Sequence, residues 1–240
     1  GEPPLRQEIA QALSRSSQLI MEVSAEDMSK AALLMSSRLC QDACLRKQIS
    51  PAAFVQLGTL LPGAEAGIER IPAWMVSTML AIINATKAGL SPQLGTEQRL
   101  MKIWGNRPTR GLETPEEQVE ALASFEDSVQ REMLEGYLAL SEERRLALTQ
   151  ALYRLWQGGD ADALYDWYRK MNEEEKLSSD TVRKVDEKMI FLRNKRFVER
   201  LRPHLASGKP VFVAVGALHL GGDQGVLALL RAQGFTIAAR

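Results

Sequence analysis

Histidine and cysteine are almost missing: the 240 residues hold two of each. Two histidines cannot build a zinc centre of the three-histidine type, so a metal site would have to lean on carboxylates and water. Two cysteines, at 40 and 44, cannot form a disulfide framework. An excess of either charge is missing too, since 30 Lys and Arg face 30 Asp and Glu. That balance removes the electrostatic case for nucleic acid or an anionic membrane as the principal partner. No apolar run approaches the roughly 20 residues that a membrane-spanning helix needs, so no transmembrane segment is expected. The start, Gly-Glu-Pro-Pro-Leu, is neither a methionine nor a signal peptide. The chain reads as a soluble fragment or a processed chain, periplasmic or secreted had a signal been removed, and cytoplasmic otherwise.

What is present is apolar and periodic. With 45% hydrophobic residues the chain can bury a large core, as one domain or two intimately packed halves. Apolar residues at three-to-four spacing predict helices around 5–16, 26–48, 72–88, 92–105, 115–156, 160–172 and 181–205. The Thr114-Pro115-Glu116-Glu117 start is a capping box with proline in the first turn. Four brief stretches read as strands: Leu19-Ile20-Met21, Thr109 to Leu112, Val211 to Val215 and Phe235-Thr236-Ile237. The unbroken apolar run at 211–215 predicts a strand buried on both faces of a helix-covered sheet. The expected fold is therefore α/β and helix-rich, with short, mostly buried strands. If 26–48 is one helix, Cys40 and Cys44 stand one turn apart. Reduced thiols and a metal pair are then the open readings, and helical geometry disfavours a bridge.

Three polar residues follow strand candidates. Glu22 comes after Leu19-Ile20-Met21, Glu113 after Thr109 to Leu112, and His219 after the 211–215 strand through Gly216-Ala217-Leu218. In helix-covered sheets, ligands bind beyond the carboxyl ends of strands, which groups the three. Each also has a plainer reading, the carboxylates as partners of a helix dipole and the histidine as a structural hydrogen-bonder. On a helix over 182–201, Arg193 falls within the stripe of Val182, Met189, Ile190, Phe197 and Leu201. A guanidinium on a buried face demands an anionic partner: Glu22, Glu113 or a substrate carboxylate. Asn194, at the edge of the stripe, can hydrogen-bond the same cluster. His204 reads as a surface or helix-capping residue.

Together these segments resemble the TraB/GumN family, which includes the Tiki metalloproteases. The resemblance rests on Val213-Ala214-Val215-Gly216-Ala217-Leu218-His219-Leu220 with Gly225-Val226-Leu227 and Leu230 to Ile237. It is joined by Leu19 to Val23, by Gly111-Leu112-Glu113-Thr114-Pro115-Glu116-Glu117-Gln118, and by Arg193-Asn194. It implies a single domain over 1–240 of a helix-decorated α/β fold with two related halves, as in Tiki-like proteins. It also implies a divalent-metal-dependent peptidase site acting on a peptide or small polar substrate. Carried over by position, His219 and Glu22 are metal ligands, and Glu22 is also the acid or base. Arg193 and Asn194 orient the acid or the scissile carbonyl, and Glu113 is a secondary acidic residue. A first Gly-x-x-His in the family pattern belongs before the helix at 5–16, where this chain has already begun, so its first strand and first ligand are expected to be absent. One histidine and one carboxylate suit manganese, cobalt or magnesium better than zinc. The alternative is a non-catalytic peptide- or signal-binding protein, or a regulatory interaction protein using a long helix at 115–156. The sequence leaves the oligomeric state open.

Overall fold

In the computed structural model, which describes residues 5–174 and 176–238, three strands form one parallel sheet. They are β1 (Gln18–Met21), β2 (Thr109–Gly111) and β3 (Val211–Ala214), in the order β2-β1-β3. Leu19 pairs with Thr109 on one side and with Phe212 on the other. Helix α1 (Gln7–Arg15) leads into β1. Between β1 and β2 run α2 (Met28–Ser37), α3 (Leu45–Gln48), α4 (Pro51–Leu60), α5 (Glu65–Ile68), α6 (Ala73–Lys87) and α7 (Thr96–Trp104). Between β2 and β3 run α8 (Pro115–Ala123), α9 (Asp127–Ala139), α10 (Glu142–Gly158), α11 (Ala161–Glu174), α12 (Ser179–Val185) and α13 (Leu192–Ala206). Helix α14 (Val226–Ala232) follows β3. The helix-rich α/β fold expected from the periodicity is the one that forms.

Strand alternation divides the core into two faces. Leu19, Met21, Phe212 and Ala214 pack with Leu13 of α1 and with Leu100 and Trp104 of α7. On the opposite face, Ile20, Val211 and Val213 pack with Phe197, Val198 and Leu201 of α13 and with Val226 and Leu230 of α14. A third core, away from the sheet, joins Leu45, Phe54, Leu57, Val76, Leu80 and Leu134. With helices on both faces, the open ground is at the strand ends.

Several sequence expectations need correction. β3 is only half-buried, because among the described residues it has a single neighbour, β1; the fully covered strand is the central one. Phe235-Thr236-Ile237 is not a strand. Phe235 and Ile237 fill the α13–α14 core, while the Phe235 N–H donates to the Leu230 carbonyl at the end of α14. The segment at 26–48 breaks after Ser37. Cys40 and Cys44 then lie in a turn, not on a helix, and form a disulfide with Cα atoms 6.1 Å apart. Arg70 fixes that turn by accepting from the Cys40 N–H and donating through Nε to the Cys40 carbonyl. The long helix at 115–156 is three helices. Its breaks fall before Asp127 and at Ser141, whose hydroxyl caps α10 through the Arg144 N–H. Ser50 and Pro51 start a further helix, α4, over a stretch with no assigned periodicity. The capping box at Thr114 forms as expected, with Pro115 in the first turn of α8.

Residues 179–206 are helical throughout but interrupted by a π turn at Asp186–Phe191. The extra residue in that turn rotates the buried face. Before it Thr181 is buried while Val182 is half-covered, and Asp186 is buried at its first position; after it Arg193 and Asn194 are both buried in succession. Such turns concentrate at functional sites, and this one delivers two consecutive polar residues to the sheet.

Candidate functional site

Each strand delivers one site residue at its carboxyl end. Glu22 is the first residue after β1. Glu113 lies two residues past β2, where its N–H donates to the Glu22 carbonyl at 2.8 Å and prolongs the strand pairing. After β3, Gly216 opens a short 3-10 turn that ends on His219. A Cβ on Gly216 would stand 3.1 Å from Glu22 Oε1, so the bare backbone lets its N–H reach that oxygen at 2.6 Å.

Arg193 ties the strand ends together from α13. Its Nε donates to Glu113 Oε2 at 3.0 Å and its Nη2 to Glu113 Oε1 at 2.6 Å, forming a fork. The same Nη2 donates to Glu22 Oε2 at 2.7 Å, and Nη1 donates to the Met189 carbonyl at 3.1 Å. Burial alone would lower the Arg193 pKa, but the two carboxylates overcome it and raise it. All three guanidinium nitrogens are engaged with protein groups. Arg193 is therefore built to hold carboxylates. The Glu113 side chain is fully buried, whereas Glu22 keeps 18% exposure. Glu22 is thus the more accessible of the two acids, and Glu113 balances Arg193.

Asn194, on the next position of α13, orients the histidine. Its Nδ2 donates to the Gln224 carbonyl at 2.7 Å, which turns Oδ1 toward His219 Nδ1 at 2.7 Å. Nδ1 must then carry the proton, a tautomer assigned from the network, and the Nε2 lone pair is left bare. Nε2 stands 3.8 Å from Glu22 Oε1. The ring packs on Phe197, with centroids 5.1 Å apart. Burial pushes the His219 pKa down to about 4, with Arg193 adding to the drop and Glu22 opposing it. At neutral pH the imidazole is a neutral donor of electrons, not a cation.

That depressed pKa fixes the sign of a pH dependence. Between the ordinary value of 6.5 and about 4 the unfolded chain binds a proton at His219 and the folded chain does not. Stability therefore rises with pH across this window and falls as acid is added. Urea unfolding of the protein and of its His219→Gln variant should show the difference: the variant loses this part of the acid dependence. Parallel pH profiles would mean that His219 titrates normally.

The structure thus brings Glu22, Glu113, Arg193, Asn194 and His219 together, and leaves His204 apart near the end of α13. Two residues were not singled out from the sequence. Gln118, in the second turn of α8, donates to Glu113 Oε1 at 3.1 Å and to Glu22 Oε2 at 3.4 Å. Glu97, in the first turn of α7, has its pKa raised by partial burial and by the negative charge of Glu22. Gln118 was legible only as part of the segment that begins at Gly111. Nothing in its local sequence marks Glu97, because only the packing of α7 on the sheet carries it there.

As a cation site, the cluster offers one well-matched pair. A bare imidazole nitrogen and a carboxylate oxygen, 3.8 Å apart, suit two donors to one divalent ion. Among the described residues no third His, Cys, Asp or Glu completes a metal-binding group. The donors fit a weakly held ion better than a structural zinc. The sequence profile of the TraB/PrgY/gumN family matches residues 2–239. No curated protein and no solved structure matches the chain.

Proposed function

This chain belongs to the TraB/PrgY/gumN family, and we propose that the site at its strand ends is that of a metal-dependent hydrolase acting on peptides. One observation carries the reading: a neutral His219 presents bare Nε2 to the partly exposed carboxylate of Glu22. His219 and Glu22 are the residues that would hold a divalent ion, with manganese, cobalt or magnesium favoured over zinc. When bound, such an ion supplies Lewis acidity and brings water toward ionisation at neutral pH.

The chain's own groups do the rest. Asn194 sets the ring plane and tautomer of His219. Arg193 and the Gly216 N–H hold the Glu22 carboxylate in one rotamer. Glu113 and Gln118 keep Arg193 in place and stop it from sweeping into the substrate space. Glu22 is the proton acceptor nearest the substrate side.

The test is hydrolysis of a fluorogenic peptide mixture by the whole protein, with each metal added in turn. Glu22→Gln and His219→Ala are expected to lower the rate by at least about a hundredfold, the range that a positioned acid or base contributes. Equal turnover by His219→Ala would sink the reading. A second reading, peptide binding without turnover, is favoured by the hydrogen bonds already made by both Glu22 oxygens. Saturable peptide binding that is indifferent to chelator, with no cleavage on long incubation, would select it.

A further inference from the structure

Beside the strand-end cluster, α8 and the start of α13 enclose an open groove of 500 Å³. Ala121 and Ser124, at the end of α8, line one side. Lys188 of the π turn, with Leu192 and Arg196 of α13, lines the other, and their spacing puts the three on one helical stripe. Leu192 is 43% exposed, an apolar surface between two cations.

Arg196 is the anomaly there. Its side chain is 37% exposed, and among the described residues its guanidinium makes no hydrogen bond. Nε alone is sealed from solvent, so Nη1 and Nη2 are the donors left open at the groove. Both acids in reach are already taken. Glu113 Oε2, 4.0 Å from Arg196 Nη2, accepts from Arg193 Nε, and Glu113 Oε1 accepts from Arg193 and Gln118. Glu117 has its pKa lowered to about 2, chiefly by Arg200 and in smaller part by Arg196, and both its oxygens accept from Arg200. Lys188 has no carboxylate either, and donates to the Ser124 carbonyl and hydroxyl. The remaining acids of the groove, Glu116 and Glu120, pair with Lys30 and Arg38. Two cations therefore lack an anion of their own, and an apolar surface lies between them. That combination matches a carboxylate that carries an apolar group. Glu120 uses one oxygen on Arg38 and keeps Oε1 to accept a backbone N–H, which fits a peptide end better than an acyl chain.

We infer that this groove binds the C-terminal residue of a peptide, its carboxylate accepting from the open nitrogens of Arg196 and its apolar side chain lying on Leu192 and Ala121. Lys188 adds positive charge at the same wall. The inference rests on the peptide reading above for the kind of ligand. Its test reads binding and not turnover, so the two can fail separately. Because Arg196 stands against Glu113, an occupant borders the strand-end cluster.

The probe is N-acetyl-leucine, titrated into the whole protein by NMR with N-acetyl-leucinamide, N-acetyl-glycine, octanoate and inorganic phosphate as the other arms. For roughly a dozen non-hydrogen atoms, saturation in the millimolar range is expected. The leucine amide, which lacks the carboxylate, should bind at least about tenfold more weakly, the loss of one charge-assisted contact. Arg196→Gln should weaken N-acetyl-leucine by a similar factor while its melting temperature stays at that of the parent. Leu192→Glu changes an exposed position and sets a carboxylate one turn before Arg196, in the order that pairs along a helix. It should abolish binding in a folded protein. The inference is overturned by no saturation with N-acetyl-leucine, by equal binding of its amide or of N-acetyl-glycine, or by unchanged binding to Arg196→Gln. Tighter binding of octanoate would make the groove an acyl-chain site, and equal binding of phosphate a simple anion site; either also overturns it. So would a marked fall in the stability of Arg196→Gln, because the arginine would then be serving Glu113.

Discussion

Exchanging Arg193 for methionine is expected to cost about 3–5 kcal/mol of stability, the range for removing one partner from a buried ion pair. For a chain of this length that lowers the melting temperature by roughly 10 °C. The cause is not only the lost attraction. Glu113, fully buried, and Glu22 would face each other with no cation between them, leaving Gln118 as the one donor that both share. The two carboxylates would then compete for one proton, so the variant should regain part of its stability on mild acidification, opposite to the trend that His219 imposes. Arg193→Lys should rescue only in part, since a single ammonium cannot reproduce the fork onto Glu113 and also reach Glu22. The double variant Glu113→Leu, Arg193→Met removes both partners of the fork and should be milder than Arg193→Met alone. Thermal unfolding at two pH values checks all three. An Arg193→Met protein as stable as its parent would show that the network contributes nothing.

Gly221→Ala is expected to be nearly as damaging, although it adds one methyl group. A Cβ at that position runs into the Ala161 carbonyl and stands 3.0 Å from the Asp162 amide nitrogen, both in the first turn of α11. Backbone cannot step aside as a flexible side chain would, so the cost should reach about 3 kcal/mol. The contact has a functional side as well. The next residue, Gly222, donates its N–H to Asp162 Oδ1 at 2.8 Å, and Gln224 in the same loop holds Asn194. Displacing the loop therefore loosens His219, whose pKa should climb back toward its ordinary value. A histidine NMR titration reads that change directly. Asp162→Ala removes the hydrogen bond without the collision and should cost only about 1 kcal/mol. A Gly221→Ala protein with normal stability and an unmoved His219 titration would remove α11 from this role.

The site was more legible than the helices around it. Glu22, Glu113 and His219 could be grouped because short apolar strands announce themselves and ligands gather at their ends. Arg193 could be grouped with them because a cation within an apolar stripe needs an anion. The sequence allows Glu22, Glu113 or a substrate carboxylate as the partner; the fold makes it both carboxylates. The failures are equally physical. At 115–156 the apolar spacing continues through Ser124-Phe125-Glu126 and Leu140-Ser141, so periodicity alone could not show the chain turning back on itself. Phe235 and Ile237 have the composition of a strand, but their place is decided by contacts with α13 and α14. Cys40 and Cys44 lie beyond the end of the helix that the apolar spacing predicts through them. Glu97 and Gln118 arrive on helices whose docking no local pattern encodes.

The ion-pair network joins positions 22, 113 and 193, at a sequence separation of 171 for the outermost pair and 80 for Arg193 and Glu113. Contacts of such long separation must close large loops before they return any stabilisation, so they slow folding and form late. Until α13 docks, Glu22 and Glu113 have no cation and His219 has no Asn194. The strand-end cluster thus exists only once α13 has docked, and a chain arrested earlier carries every site residue but no site.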